Sequence, residues 1–159
     1  MKTVTLLFIL SFSTVASAQF SGGNRMTNDP KDQYLSYNNA YNLAASGEVI
    51  HLVYNDKAGT DAEISYLRSE DGGVTWTNRI ALTSDDGFFS GFPSVASWFD
   101  QVHVVWGDHK GGNGDIYYSR SANGGHSWTN EVKLTGQTGN SLFPSLSTSG
   151  PVLHLIWQD

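Results

Sequence analysis

The sequence predicts an all-β protein assembled from copies of one small four-stranded antiparallel sheet. Three observations lead there: short apolar runs of strand length, glycine-rich clusters between them, and the return of the same residues every 51 or 52 positions. Val49-Ile50-His51-Leu52-Val53-Tyr54-Asn55-Asp56 comes back as Val102-His103-Val104-Val105-Trp106-Gly107-Asp108, and again as Val152-Leu153-His154-Leu155-Ile156-Trp157-Gln158-Asp159. His51, His103 and His154 are 52 and 51 apart, while Trp76 to Trp128 and Ser69 to Ser121 are each 52 apart, so independent markers share one period.

In chain order, the first segment stands outside that pattern. Met1-Lys2 carries a positive charge, Leu6 to Phe12 is apolar, and Ala16-Ser17-Ala18 supplies small residues at the spacing a signal peptidase reads. Residues 1–18 are therefore expected to be a signal peptide, and the mature chain to be secreted, periplasmic or at the cell surface. The apolar run is far shorter than the ~20 residues that span a bilayer. Arg25-Met26-Thr27-Asn28-Asp29 is close to Ala81-Leu82-Thr83-Ser84-Asp85 and to Lys133-Leu134-Thr135, which marks it as a detached fourth strand.

Two full repeats follow, at about 41–83 and 92–135, and a third begins at 143–159. In the second repeat the strand-like runs lie around Phe92 to Ser97, Gln101 to Asp108, Asp115 to Ser121 and Ser127 to Thr135, separated by Gly, Asn and Asp. The second run of the first repeat puts Ile50, Leu52 and Tyr54 on one face and Val49, His51 and Val53 on the other. Both faces are apolar, so both must be covered. Sheets stacked face to face in a ring, as in a β-propeller, achieve this without helices, whereas a sandwich offers no reason for so regular a period. Four to eight blades of about 50 residues need roughly 200 residues or more. The 159 residues of residues 1–159 are thus expected to form an N-terminal fragment, 19–159 being an incomplete propeller.

Composition narrows the function classes. Only 15% of residues are charged, against about 25% in an average soluble domain, while 13% are aromatic and 17 are glycine. Nine basic against 15 acidic residues leave a net charge of −6, which argues against nucleic acid and anionic membranes as partners. With no cysteine there is no disulfide framework, thiolate-zinc site or thiol nucleophile.

Ser69-Glu70-Asp71-Gly72-Gly73-Val74-Thr75-Trp76 and Ser121-Ala122-Asn123-Gly124-Gly125-His126-Ser127-Trp128 both resemble the Asp-box (BNR) pattern Ser-x-Asp-x-Gly-x-Thr-Trp of the sialidase-like superfamily. Physically the motif is a turn: the Asp or Asn side chain accepts backbone N–H groups, Gly takes the left-handed conformation and Trp packs beneath. Ser69, Asp71, Gly73, Thr75, Trp76, Ser121, Asn123, Gly125, Ser127 and Trp128 are accordingly expected to be structural. The resemblance implies a propeller of six blades when complete, with any active centre at the end opposite the boxes.

That open end is expected to collect residues 55–62, 84–91, 107–114 and 136–141 and the long stretch 28–39. The resemblance implies three arginines clamping a sugar carboxylate, a Tyr–Glu nucleophile and an Asp acid/base. Asn42 stands where the first clamp arginine would be, and Lys57 and Lys110 lie where a second is often found. Lysine cannot reproduce the two-pronged guanidinium contact. Arg68, Arg79 and Arg120 are expected to be structural. Asp61 is the candidate acid/base, against the alternative of a turn former beside Gly59. His51, His103 and His154 sit mid-run in separate repeats, which suits core positions better than a metal site. Asp56, Asp108 and Asp159 can cap strand ends or, with loop carbonyls, hold Ca²⁺; capping is the expectation, and no metal or other cofactor is assigned. Phe88, Phe89, His109, Asn113 and Asn140 can stack on and hydrogen-bond to a sugar. The expected function is non-catalytic recognition of extracellular glycans or proteins, the alternative being an exo-α-sialidase-type glycoside hydrolase whose remaining catalytic residues lie in further repeats C-terminal to this sequence.

Overall fold

The computed structural model describes Gln33–Tyr34 and residues 41–57, 61–136 and 138–159, all within one compact unit, 31–159. The expected signal peptide and the detached strand at 25–29 lie outside the described residues. The described elements are all strands: β1 Gln33–Tyr34, β2 Leu43–Ser46, β3 Val49–Asp56, β4 Glu63–Ser69, β5 Ile80–Ala81, β6 Ser90–Trp98, β7 Gln101–Asp108, β8 Asp115–Ser121, β9 Val132–Lys133, β10 Leu142–Ser149 and β11 Val152–Gln158. Among the described residues no helix is long and apolar enough to cross a membrane.

The strands form antiparallel sheets. In the second, β6, β7, β8 and β9 follow one another as a meander. The first repeats this with β2 to β5, and β1 continues the edge of β3 beyond β2, pairing Gln33 with Asp56. The third consists of β10 and β11. The same pairing recurs at the same register: His51 faces Arg68 and His103 faces Arg120, while Asp56 faces Glu63 and Asp108 faces Asp115.

Two apolar layers separate the sheets. Val53, Ile64 and Tyr66 of the first pack on Val95, Val102, Val104, Trp106 and Tyr117 of the second, with Trp128 at the margin. Ala96, Val105 and Ile116 pack on Leu146 of the third. Full burial of such a side chain contributes ~1.5–3 kcal/mol before entropy is counted. Backbone bonds repeat between sheets as well: Ser90 N donates to Ala62 O at 2.9 Å, and Ser141 N to Gly114 O at 2.8 Å.

Three features differ from what periodicity alone suggests. The fourth strand, expected over Ser127 to Thr135, is reduced to the two residues of β9, and β5 is equally short. The hairpin between the third and fourth strands uses up the rest, with Thr77 N donating to Arg68 O and Thr129 N to Arg120 O. The first strands β6 and β10 shift register after Gly91 and Leu142. There Phe92 and Phe143 have φ of 56° and 55°, and Pro93 and Pro144 follow, because a bulge tolerates a residue that cannot donate to the ladder. The histidines also diverge. His51 is buried and His103 partly so, each 2.7 Å from the hydroxyl of Tyr66 or Tyr118, whereas His154 is exposed on β11. Burial, with Arg68 nearby, pulls His51 down to about 4, so it is neutral at physiological pH.

Candidate functional site

The hairpins between third and fourth strands define one end of the sheets. Ser69 Oγ donates to Asp71 Oδ1 at 2.8 Å and accepts from Gly73 N at 2.8 Å. Asp71 then accepts from Thr75 N (2.8 Å) and Thr75 Oγ1 (2.6 Å), and Trp76 Nε1 donates to Gly73 O at 3.0 Å. The second hairpin repeats the backbone contacts: Gly125 N donates to Ser121 Oγ and Ser127 N to Asn123 Oδ1. Its two sequence departures form a chemical pair, since Asn123 Nδ2 donates to Ser127 Oγ at 2.9 Å where Asp71 accepts from a hydroxyl. Trp128 packs edge-on against Tyr66 of the first sheet at 4.9 Å.

Donors from Thr75 and Ser69 hold the Asp71 carboxylate down at about 2. A depressed carboxylate contributes stability that is present above its ordinary value near 3.8 and is lost as pH falls through 2. The first hairpin is therefore expected to loosen between pH 4 and 2 while the second, built on an amide, does not. Asp71→Asn is expected to fold and to remove that acid response, read from exchange of the Thr75 amide proton.

At the opposite end the sheets bury four carboxylates, Asp56, Glu63, Asp108 and Asp115, each 1–2% exposed. Strand register explains the grouping, since these are the closing residues of β3–β4 and β7–β8. Buried carboxylates need donors. Asp56 pairs with Arg79 Nη1 at 2.9 Å, and Asp115 with Lys133 Nζ at 2.5 Å. Asp108 accepts from Ser90 Oγ (2.9 Å), Trp106 Nε1 (3.2 Å) and the loop amide of Lys110 (2.9 Å). The Trp–Asp–Ser unit returns in the third sheet, where Asp159 accepts from Ser141 Oγ at 2.7 Å and Trp157 Nε1 at 2.9 Å. Thr83 and Thr135 each accept a strand amide, from Ile64 and Ile116, and donate to Glu63 and Asp115.

Glu63 is the unusual member. Its Oε2 accepts from Thr83 at 2.5 Å, and Oε1 is buried beside it. Burial raises its carboxyl to about 7, the Thr83 hydroxyl opposes this, the Asp86 and Asp108 carboxylates add to it, and the Ser90 hydroxyl opposes it. A raised carboxyl contributes stability that is fully present below its ordinary value near 4.5 and is lost as pH climbs through 7. Glu63→Gln, which keeps an acceptor for Thr83, is expected to flatten the wild-type loss between pH 4.5 and 7 and to be the more stable protein above pH 7, read from urea midpoints.

Asp61 lies two residues before Glu63, half-buried at the entrance to β4. Asn42 is buried, its Nδ2 donating to Val53 O (3.3 Å) and Pro93 O (3.1 Å), so it ties the first sheet to the second. Asn113 donates to Thr138 O and Asn140 accepts from Gly114 N, which holds the 109–114 loop to 138–141. Phe89 stands 5.8 Å from His109 and 5.7 Å from Phe92, which is 4.4 Å from Phe143, so an aromatic row crosses this end from the second sheet to the third. Phe88 is exposed beside it. Lys110 lies over the Tyr117 ring and pairs with Glu131. Sequence reasoning passed over Glu63. The available signal was its 52-residue offset from Asp115, which puts acids at both strand starts.

No protein-family model matches the chain, and no curated protein does. Among solved structures it is similar to the Hadza microbial sialidase Hz136, with a TM-score of 0.52 and 17% identity over 68% of this chain. The likeness is one of fold: the described sheets have the sialidase-like, all-β arrangement of antiparallel blades. The chain spans 29% of the length of that sialidase.

Proposed function

We propose that this chain belongs to an exported, Asp-box propeller that recognises extracellular glycans or proteins at its open end without cleaving them. The observation that carries this reading is Asn42. Where the resemblance implies an arginine for a sugar carboxylate, a buried amide is committed to two backbone carbonyls of adjacent sheets. Of the described arginines, Arg68 pairs with Glu70 and Arg79 with Asp56, each with a carboxylate of the protein itself, and Arg120 stands exposed at the box end, away from the open end. The aromatic row and the exposed Phe88 suit stacking on a sugar face, with loop polar groups beside it. The test is a fluorogenic sialoside assay beside a glycan array. Glycan retention without sialic acid release is expected, and release would overturn the non-catalytic reading.

One observation favours an exo-α-sialidase-type hydrolase instead. Burial raises the Glu63 carboxyl to about 7, toward the range in which a general acid works. In that reading Asp61, nearer the loop, is the candidate acid/base. Hydrolysis abolished by Asp61→Ala, with a pH limb near 7 that disappears in Glu63→Gln, would support it.

A further inference from the structure

At the box end, two-residue loops join the first and second strands of each sheet: Gly47-Glu48, Phe99-Asp100 and Gly150-Pro151. Two of these turns are tied to the box hairpins, Gly72 N donating to Glu48 O at 2.9 Å and Gly124 N to Asp100 O at 2.8 Å. The first loop residue has φ of 64°, 50° and 59° in the three turns, and the second is not in that region. A hairpin loop of this kind calls for glycine at its first position. The outer two turns comply, and the middle one carries phenylalanine.

Burial does not explain the exception. Phe99 is 71% exposed and Trp98 38%, their rings meeting edge to face at 5.0 Å. A bulky residue in the left-handed region is strained, and whereas Phe92 and Phe143 take it at register-shifting bulges, Phe99 takes it in a regular two-residue turn where no bulge accounts for it. The tip thus combines backbone strain with exposed aromatic surface.

We propose that the Trp98–Phe99 tip is a second binding site, for neutral glycans, in which the C–H face of a pyranose ring stacks on the exposed rings. Charge and size select this occupant. Glu48, Glu70, Asp71 and Asp100 lie on the loops of this end and outnumber its two cations, Arg68, which is paired with Glu70, and the exposed Arg120, so the balance disfavours polyanions and anionic bilayers. Two aromatic side chains offer at most about 150–250 Å² each, well below the roughly 1,000 Å² of a stable protein interface. A small, flat, uncharged partner fits. The site is separate from the open end and does not rest on the function proposed for it.

The experiment is native affinity electrophoresis in hydroxyethylcellulose, galactomannan and dextran, with sedimentation on phosphatidylcholine vesicles in parallel. Phe99→Gly installs the residue the sister turns use, so it is expected to fold with a Tm at or above that of the parent. The parent is expected to be retarded by at least one polysaccharide and not to sediment with vesicles. Phe99→Gly and Trp98→Ala are each expected to weaken that retardation tenfold or more. The proposal is overturned by a parent that none of the three retards, by vesicle binding in place of retardation, by retardation that survives Phe99→Gly, or by a lower Tm for Phe99→Gly, which would make Phe99 a support of the turn.

Discussion

Trp106→Ala is expected to remove most of the stability of the protein, about 3–5 kcal/mol. The side chain is 0% exposed, lies in the apolar layer between the first and second sheets and stacks on Tyr117 at 6.2 Å. Its loss leaves a cavity lined by strands that close on it poorly, because β3, β4, β7 and β8 are each fixed by ladder bonds on both edges. It also takes the indole donor from the buried carboxylate of Asp108. Against a typical margin of about 5–15 kcal/mol, the variant is expected to unfold at low denaturant or to express poorly. Trp157→Ala is the matched control. That residue holds the same repeat position and makes the same indole bond to an aspartate, yet is 44% exposed. Its loss is expected to cost under about 1 kcal/mol. Equal urea midpoints for the two variants would contradict the burial argument.

Gly125→Ala is expected to be nearly as damaging although it adds a single methyl group. Gly125 has φ of 92°, and a Cβ there would fall on the Tyr66 hydroxyl and 2.7 Å from its Cζ. Tyr66 cannot retreat. It is fully buried, bonded to His51 Nδ1 at 2.7 Å and packed on Trp128. Overpacking of this kind typically costs about 1–3 kcal/mol, and the left-handed backbone adds roughly 1–2. Gly72→Ala separates the two effects. Its φ is 68°, and nothing lies within 4 Å of the added carbon, so only the backbone penalty is expected. The clash argument fails if thermal unfolding shows equal losses for the two variants. Tyr66→Phe combined with Gly125→Ala should rescue only partly, because the ring carbon contact remains.

These two positions mark the boundary of what a single sequence can tell. That Trp106 belongs to a buried strand followed from apolar residues on both faces of the run. That Tyr66 meets Gly125 did not, because the two come from different repeats and touch only when the sheets stack. The open end behaves in the same way. Asp61 drew notice because it falls in the loop where the resemblance implies an acid/base Asp, a signal read from its position along the chain. Glu63, Thr83, Ser90 and Asp108 lie far apart in sequence, and none is exceptional in its own neighbourhood. Antiparallel register and face-to-face packing bring them together, and burial then shifts the Glu63 carboxyl.

The period near 52, the strand-length apolar runs and the turn residues between them determined by themselves that this is an all-β chain of repeated antiparallel sheets. Periodicity is enough for that, since pleating and turn geometry act over a few residues. Hairpin contacts such as Ser69 with Asp71 and Thr75 are likewise local. The tertiary structure alone decided which acids share the open end, that Asn42 spans two sheets, and that Phe99 occupies a conformation its sister turns give to glycine. Desolvation, inter-sheet hydrogen bonds and backbone strain depend on what surrounds a residue in space, and the linear order of the chain does not contain that information.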